Sequence, residues 1–151
     1  MESDVTEAEL TERPTAVVRG HVPHDGMAGF LGEAFGAVMG TVGRQGLAVD
    51  GPPFARYGMA DDGGWDIEAG FPVSAPAAAE GPVEPSSLPG GRVARTLHVG
   101  PYAGVAAAYS ALTAYLGEHG LVPTGGPWES YLDGPEVAMP RTEVCFPCRP
   151  A

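Results

Sequence analysis

Apolar residues recur every three or four positions in two stretches of the chain, which is the spacing of one face of an α-helix. The first stretch runs from Met27 to Arg44, and the second follows Gly100-Pro101. The apolar positions are Met27, Phe30, Leu31, Phe35, Val38, Met39 and Val42 in the first stretch, and Tyr102, Val105, Tyr109, Leu112 and Leu116 in the second. Asp25 stands where it can cap the first helix, and Gly43 to Gly46 predicts its end.

The remaining apolar stretches are shorter and predict β-strands. The predicted strands are two stretches within 5–22 around Arg13-Pro14, then Phe54 to Met59, Asp66 to Val73, Arg92 to Val99, Trp128 to Leu132 and Thr142 to Phe146. Asp61-Asp62-Gly63-Gly64 predicts a hairpin turn. The Pro-, Ala- and Glu-rich segment from Ser74 to Ser87 predicts a connection in which Val83 pairs briefly with a sheet edge.

An internal repeat orders these elements into two halves that each have a strand, a helix and two further strands. Residues 46–57 run in step with 120–131, and residues 66–73 run in step with 141–148. We therefore expect one domain over residues 1–151 made of two repeats, about 5–73 and 83–148. The expected fold class is α+β, in which duplicated β-α-β-β units form an antiparallel sheet with two long helices on one face and a groove at the pseudo-two-fold axis.

The two repeats differ at one position that bears on function. Phe54 corresponds to Trp128 and Tyr57 to Tyr131, but the first repeat has no acid at the position of Glu129. The shared fold does not need this acid, and strand alternation places it on the same face as Tyr131. A carboxylate among aromatic rings is costly unless it is compensated, and a bound organic cation would compensate it through charge and cation–π attraction.

The chain is acidic, with 19 acidic residues against 8 basic ones and a net charge of −11. A negative field repels phosphate backbones, so we expect no direct binding of nucleic acid. No apolar run is long enough to cross a bilayer, and the N-terminus lacks the pattern of a signal peptide. We therefore expect a cytoplasmic protein that does not bind membranes.

Cys145 and Cys148 form a Cys-Phe-Pro-Cys sequence close to the end of the chain. A redox pair of this spacing usually opens a helix, and too few residues follow to form one. A tetrahedral metal site needs more ligands than these, so we expect neither a metal nor another cofactor, with one thiol packed on the last strand and one near the chain end. His21 and His98 occupy related places at the ends of equivalent strands, which indicates a structural role, and neither stands out as a haem ligand.

Four motifs, in this order, resemble the GyrI-like small-molecule-binding domain. They are Leu88-Pro89-Gly90-Gly91-Arg92-Val93-Ala94, His98-Val99-Gly100-Pro101-Tyr102, Trp128-Glu129-Ser130-Tyr131-Leu132 and Arg141-Thr142-Glu143-Val144-Cys145-Phe146-Pro147. The same fold forms effector-binding domains of bacterial AraC- and MerR-type regulators and is similar to the SOUL family. The resemblance implies a pocket between the halves for amphipathic, aromatic, often cationic compounds of the multidrug type, with Glu129 as its acid. Too few residues precede the first repeat for a helix-turn-helix, so we expect a standalone ligand-binding domain.

The candidate ligand-binding residues combine this acid with nearby aromatic rings. They are Glu129, Tyr131, Tyr102, Tyr109, Trp128, Tyr57, Trp65 and Phe30. The leading hypothesis is a non-catalytic sensor or sequestering protein for hydrophobic, preferably cationic compounds. An alternative, again from the resemblance, is a hydrolase of strained electrophilic rings of the cyclopropanoid type, in which Glu129 activates water and Tyr131 or Tyr109 donates a proton. A further alternative is a gyrase-inhibitor-like protein-interaction module, and the ligand, the protein partner and the oligomeric state stay open.

Overall fold

The computed structural model describes residues 4–23, 26–59, 64–134 and 136–151, and these have an α+β fold. Their helices and strands are β1 (Val5–Leu10), β2 (Arg13–Val22), α1 (Met27–Gln45), β3 (Phe54–Met59), β4 (Trp65–Pro72), β5 (Val83–Leu88), β6 (Gly91–Val99), α2 (Ala106–Glu118), β7 (Leu121–Pro123), β8 (Trp128–Tyr131) and β9 (Arg141–Pro150). A 3₁₀ turn, Tyr102–Gly104, precedes α2. Neither helix in this part of the chain has the length and apolar character needed to span a bilayer.

The chain divides into two compact units, of which the 12–88 unit is one continuous segment. Its antiparallel strands lie in the order β3-β4-β2-β5, and α1 packs against β2 and β4. The apolar stripe of α1 and the facing strand residues make its core, which contains Ala16, Val38, Val42, Val73, Ala77 and Val83. The helical spacing seen in the sequence is therefore the spacing of the buried face.

The second unit, called the 89–151 unit, also contains the chain up to Thr11. Its antiparallel strands lie in the order β1-β6-β9-β8, and β7 pairs with the C-terminal end of β9. Helix α2 packs against β6 and β7, with further contacts to β1 and β9. The core of this unit contains Ala94, Ala108, Leu112, Leu116, Leu121, Val144 and Cys148.

The internal repeat is visible in the backbone and in the packing of both units. A glycine with positive φ closes the C-terminal end of each helix, at 67° for Gly46 and 65° for Gly120, where other residues would be strained. The same alignment of the halves makes two edge-to-face ring contacts equivalent. They are Phe35–Phe71 and Tyr109–Phe146, with ring centroids 5.6 Å and 6.0 Å apart.

The first strand of each half lies differently from the sequence expectation. The segment predicted as a connection contains the six-residue strand β5, which pairs with β2, and Val83 lies opposite Val18. Pro85 fits there because β5 is an edge strand in its unit. Strand β1 in turn pairs with β6 of the second half, so the units in space do not follow the repeat boundaries of about 5–73 and 83–148. The single-domain interpretation of residues 1–151 stays a prediction.

Smaller differences concern the ends of elements. Helix α2 begins at Ala106 rather than directly after Gly100-Pro101, because the preceding turn closes with i to i+3 hydrogen bonds from the amides of Gly104 and Val105. The last strand continues to Pro150, where its end pairs with the short strand β7, which was not predicted. The predicted cap Asp25 and the turn residues 61–63 lie outside the described residues.

Candidate functional site

Strand β8 places a buried carboxylate on the side of its sheet that faces α2. Glu129 is only 2% exposed, and it lies opposite Val144, which packs in the α2 core. Directly opposed residues in paired strands share a face, so the Glu129 side chain lies on the α2 side. The Tyr131 hydroxyl donates a hydrogen bond of 2.9 Å to Glu129 Oε1, so the two side chains share one face, as strand alternation predicts.

Two further tyrosines reach the same carboxylate from the segment between β6 and β7. Tyr102 lies in the 3₁₀ turn, and its hydroxyl donates to Glu129 Oε1 at 2.6 Å. Tyr109 lies on α2, and its hydroxyl donates to Glu129 Oε2. Both are among the candidate ligand-binding residues, and both phenols belong to the 89–151 unit together with the acid.

Three phenol donors give physical reason for an acid at this depth. Removal of a carboxylate from water costs several kcal/mol, and each hydrogen bond to a charged group returns about 1.5–3 kcal/mol. The rings also contact other rings, since the centroids of Tyr102 and Tyr131 are 6.2 Å apart and Tyr109 packs edge-on against Phe146. We call Glu129 with Tyr102, Tyr109 and Tyr131 the carboxylate–phenol cluster.

The internal repeat supplies a comparison within the same chain. The alignment that matches Gly46 with Gly120 also matches Phe35 with Tyr109, Ala28 with Tyr102 and Ala55 with Glu129. It also matches Tyr57 with Tyr131. The 12–88 unit therefore lacks the acid and two of its three hydroxyl donors, although Ala55 is fully buried like Glu129. The acid and the two donors on the turn and helix α2 are present or absent together, and extension of the sequence repeat into the helices would have revealed this.

Four of the predicted site residues are not part of this cluster. Trp128 is buried on the opposite face of β8, opposite Cys145. Tyr57 and Trp65 belong to the 12–88 unit and pack edge-on with ring centroids 6.1 Å apart. Phe30 of α1 lies against Gly20, and a Cβ atom added there would stand 2.4 Å from the Phe30 ring.

The strand pairing shifts the expected equivalence of the two histidines by one residue. Glu68 and Glu143 match in the sequence repeat, and they lie opposite Arg19 and Leu97 respectively. His98 therefore corresponds to Gly20, and Val99 corresponds to His21. A shift of one residue moves a side chain to the other face of a sheet, so the two histidines do not share one structural role. His21 Nδ1 is 3.0 Å from Asp66 Oδ1.

The two cysteines are free, and both lie on β9. They are three residues apart on an extended strand, so their side chains point to opposite faces. Cys148 is buried in the α2 core instead of lying near a frayed end. Burial raises the pKa of the Cys145 thiol far above its usual range, and the nearby Glu143 carboxylate adds to this. Within the described ranges, no group of three or more His, Cys, Asp or Glu side chains is placed to hold a metal ion.

The fold is that of a small-molecule-binding domain. Residues 3–149 match the model of the GyrI-like small molecule binding domain, and the chain belongs to this family. No curated protein matches the chain.

Among the solved structures that share the fold are those of EcmrR, a Listeria innocua hydrolase and SAV2435. The crystal structure of the EcmrR C-terminal domain is 24% identical, with a TM-score of 0.86 and each chain fully covered. In the cryo-EM structure of EcmrR with DNA, the present chain spans 59% of the EcmrR chain, with 24% identity and a TM-score of 0.85.

The other two are more distant. A hydrolase from Listeria innocua is 14% identical with a TM-score of 0.70, over 98% of the present chain and 93% of its own. SAV2435, solved with bound tetraphenylphosphonium, is 13% identical with a TM-score of 0.64, over 99% and 94%. At these identities the likeness shows the fold alone.

Proposed function

We propose that this protein binds amphipathic, aromatic organic cations in the cytoplasm, as a sensor or sequestering protein, with Glu129 as the counter-ion. One observation carries the proposal: the carboxylate is buried and held by three phenols in one half of the chain, while the other half keeps the fold without the acid. Such an acid is not required for folding, so a cationic ligand that pairs with it would explain why the cost of burying a carboxylate is tolerated.

The chemistry of the cluster suits a large delocalised cation. An opposite charge about 6 Å away, at an effective dielectric constant of about 20, is worth about 3 kcal/mol, or roughly 100-fold in affinity. Rings that face the cation add about 0.5–2 kcal/mol each. Tyr102 and Tyr109 are suited to this role because their rings lie beside the carboxylate that they hold.

The structural relatives support the same ligand class. SAV2435 has this fold and was solved with tetraphenylphosphonium, a lipophilic aromatic cation. EcmrR has the same fold in its C-terminal domain and was solved on DNA as a longer chain. We propose the cation-binding property for the present chain by this likeness, together with the charge of Glu129.

The test is a calorimetric titration with two probes of the same shape and opposite charge, tetraphenylphosphonium and tetraphenylborate. We expect the wild type to bind the phosphonium and to bind the borate far more weakly. In Glu129→Gln the phosphonium affinity should fall by roughly 100-fold. The matched control is Glu7→Gln, because Glu7 also accepts a hydrogen bond from a tyrosine, Tyr115 at 2.5 Å, but lies in an exposed pair.

The outcomes separate a charge effect from general damage. Loss of phosphonium binding in Glu129→Gln, with unchanged binding in Glu7→Gln and an unchanged melting temperature in both, supports the proposal. Equal affinity for the two probes, or wild-type affinity in Glu129→Gln, contradicts the role of Glu129.

A hydrolase is the second candidate, favoured by the pairing of a carboxylate with phenols and by the fold of the Listeria innocua hydrolase. In this case Glu129 takes a proton from water as the water oxygen attacks a strained ring carbon, and a phenol protonates the carbon that leaves. General acid–base help of this kind contributes typically 10²–10⁴-fold. Turnover of a cyclopropanoid electrophile by the wild type and its loss in Glu129→Gln would favour this candidate, whereas saturable binding without turnover favours the binder.

A further inference from the structure

His98 lies near the end of β6 and contacts the turn that carries Tyr102. Its Nε2 is 2.8 Å from the carbonyl oxygen of Pro101. A carbonyl oxygen only accepts hydrogen bonds, so Nε2 carries the hydrogen and donates it. The amide of Gly104 donates to the same oxygen at 3.0 Å. One acceptor thus connects the strand, through His98, to both ends of the 3₁₀ turn.

The imidazole also packs against the turn itself. A Cβ atom added at Gly104 would lie 3.0 Å from His98 Cε1 and 3.4 Å from Nε2, closer than ordinary van der Waals contact. The glycine therefore allows the turn to approach the ring. Tyr102 is the first residue of this turn and is 46% exposed, although its hydroxyl reaches a carboxylate that is 2% exposed. The backbone position of the turn decides whether this hydroxyl reaches Glu129.

The internal repeat reverses the sizes of the contacting residues. His98 corresponds to Gly20, and Gly104 corresponds to Phe30, which is the residue that fills the space beside Gly20. In one half a large strand residue, His98, lies against a glycine of the 3₁₀ turn. In the other half a strand glycine lies against a large helix residue, Phe30. Both combinations support the fold, so the histidine is not required for it. The half with the histidine is the half with the acid and its phenol donors.

We infer that His98 is a positioning residue for the carboxylate–phenol cluster. It holds the turn so that the Tyr102 hydroxyl is directed at Glu129 before a ligand arrives. A cluster that is already ordered binds more tightly, because less conformational freedom is lost on binding. The consequence for affinity rests on the proposed function, whereas the consequence for the turn does not.

The first experiment compares His98→Gln with His98→Asn. The glutamine amide nitrogen reaches about as far as Nε2 and can donate to Pro101, while the asparagine amide is too short. We expect hydrogen exchange at the amides of Gly104 and Val105 to be about tenfold faster in the Asn variant and close to wild type in the Gln variant. Phosphonium affinity should follow the same order, with a loss of about tenfold in the Asn variant only.

The same readouts give the results that would overturn the inference. Equal behaviour of the Gln and Asn variants, or faster exchange spread over the whole 89–151 unit, means that His98 supports the fold in general. If the wild type does not bind the phosphonium, the proposed function fails, and the exchange measurement alone still decides whether His98 positions the turn.

A second experiment transfers the contact of the other half. The double variant His98→Gly with Gly104→Phe recreates the pair formed by Gly20 and Phe30. We expect it to melt within a few degrees of the wild type and to lose at least tenfold in phosphonium affinity. A folded double variant with wild-type affinity would contradict the positioning role, and if this variant does not fold, the Gln and Asn pair provides the decision.

Discussion

Five glycines lie along one stripe of α1, and they make this helix intrinsically weak. They are Gly29, Gly32, Gly36, Gly40 and Gly43, spaced by three or four residues. In a helix interior, glycine is about 0.8–1.0 kcal/mol less favourable than alanine. Gly32 and Gly36 are exposed, and a Cβ atom added to either would meet nothing within 4 Å. We therefore predict that replacement of both by alanine stabilises the protein.

The magnitude follows from the helix propensity alone, because the added methyl groups bury no surface. Gly32→Ala and Gly36→Ala should each add about 1 kcal/mol, and the double variant about 2 kcal/mol. For a chain of this length, that corresponds to a rise of about 4–8 °C in the melting temperature. Gly40→Ala should add less, because its Cβ would lie 3.2 Å from Nη1 of Arg44, whose Nε donates to Glu80 at 2.6 Å.

Urea unfolding followed by circular dichroism measures this prediction. The midpoint should rise while the m-value stays constant, since the surface exposed on unfolding is unchanged. An unchanged or lower midpoint in the double variant would refute the reasoning, because the stripe would then face something other than solvent. A gain at Gly40 equal to the gain at Gly36 would show that the contact with Arg44 has no cost.

Three further predictions concern a close approach, a thiol and an ion pair. Gly70→Ala should destabilise the protein by at least about 2 kcal/mol in urea unfolding, because its Cβ would stand 1.9 Å from the carbonyl oxygen of Ala16 in the paired strand. Because burial raises the pKa of Cys145, this thiol should not react with a thiol reagent at pH 8 in the folded protein and should react after unfolding. Reaction in the folded state would contradict this placement. The Arg141 guanidinium lowers the pKa of Asp133, so Asp133→Asn should lower the free energy of unfolding at pH 7. The difference from wild type should vanish as the pH falls through that lowered pKa. A constant difference down to about pH 2 would argue against the ion pair.

Much of the fold could be predicted from the sequence because its periodic patterns are strong. The bounds of α1 were predicted within one residue, since an apolar stripe and a C-terminal glycine mark them. Strand β5 was assigned to a connection because its composition is that of a loop, and an edge strand tolerates Pro85 where a central strand would not. The exchange of β1 and β5 between halves has no local signal, because pairing partners far apart in sequence are decided by tertiary packing.

Part of the carboxylate–phenol cluster was predictable, where the sequence repeat or the strand period applied. Comparison of the halves identified Glu129, and alternation along β8 placed Tyr131 beside it. Which oxygen each phenol reaches depends on side-chain directions across a turn and a helix, which periodicity does not define. The contribution of His98 was missed because His98 was matched with His21 by its place near the end of a strand. The strand pairing matches His98 with Gly20 instead, and a shift of one residue moves a side chain to the other face of the sheet.

The pairing of β1 with β6 has a consequence for the order of events during synthesis. Leu10 pairs with Gly91 and Val5 with Thr96, so β1 leaves the ribosome about 80–90 residues before its partner. At about 5–20 residues per second, β1 waits roughly 4–18 s without a neighbour. Glu7 and Glu9 on this strand are the kind of charges that discourage an unpaired strand from joining another chain. The acidic side chains of β1 thus discourage pairing with another chain during the seconds before β6 is synthesised.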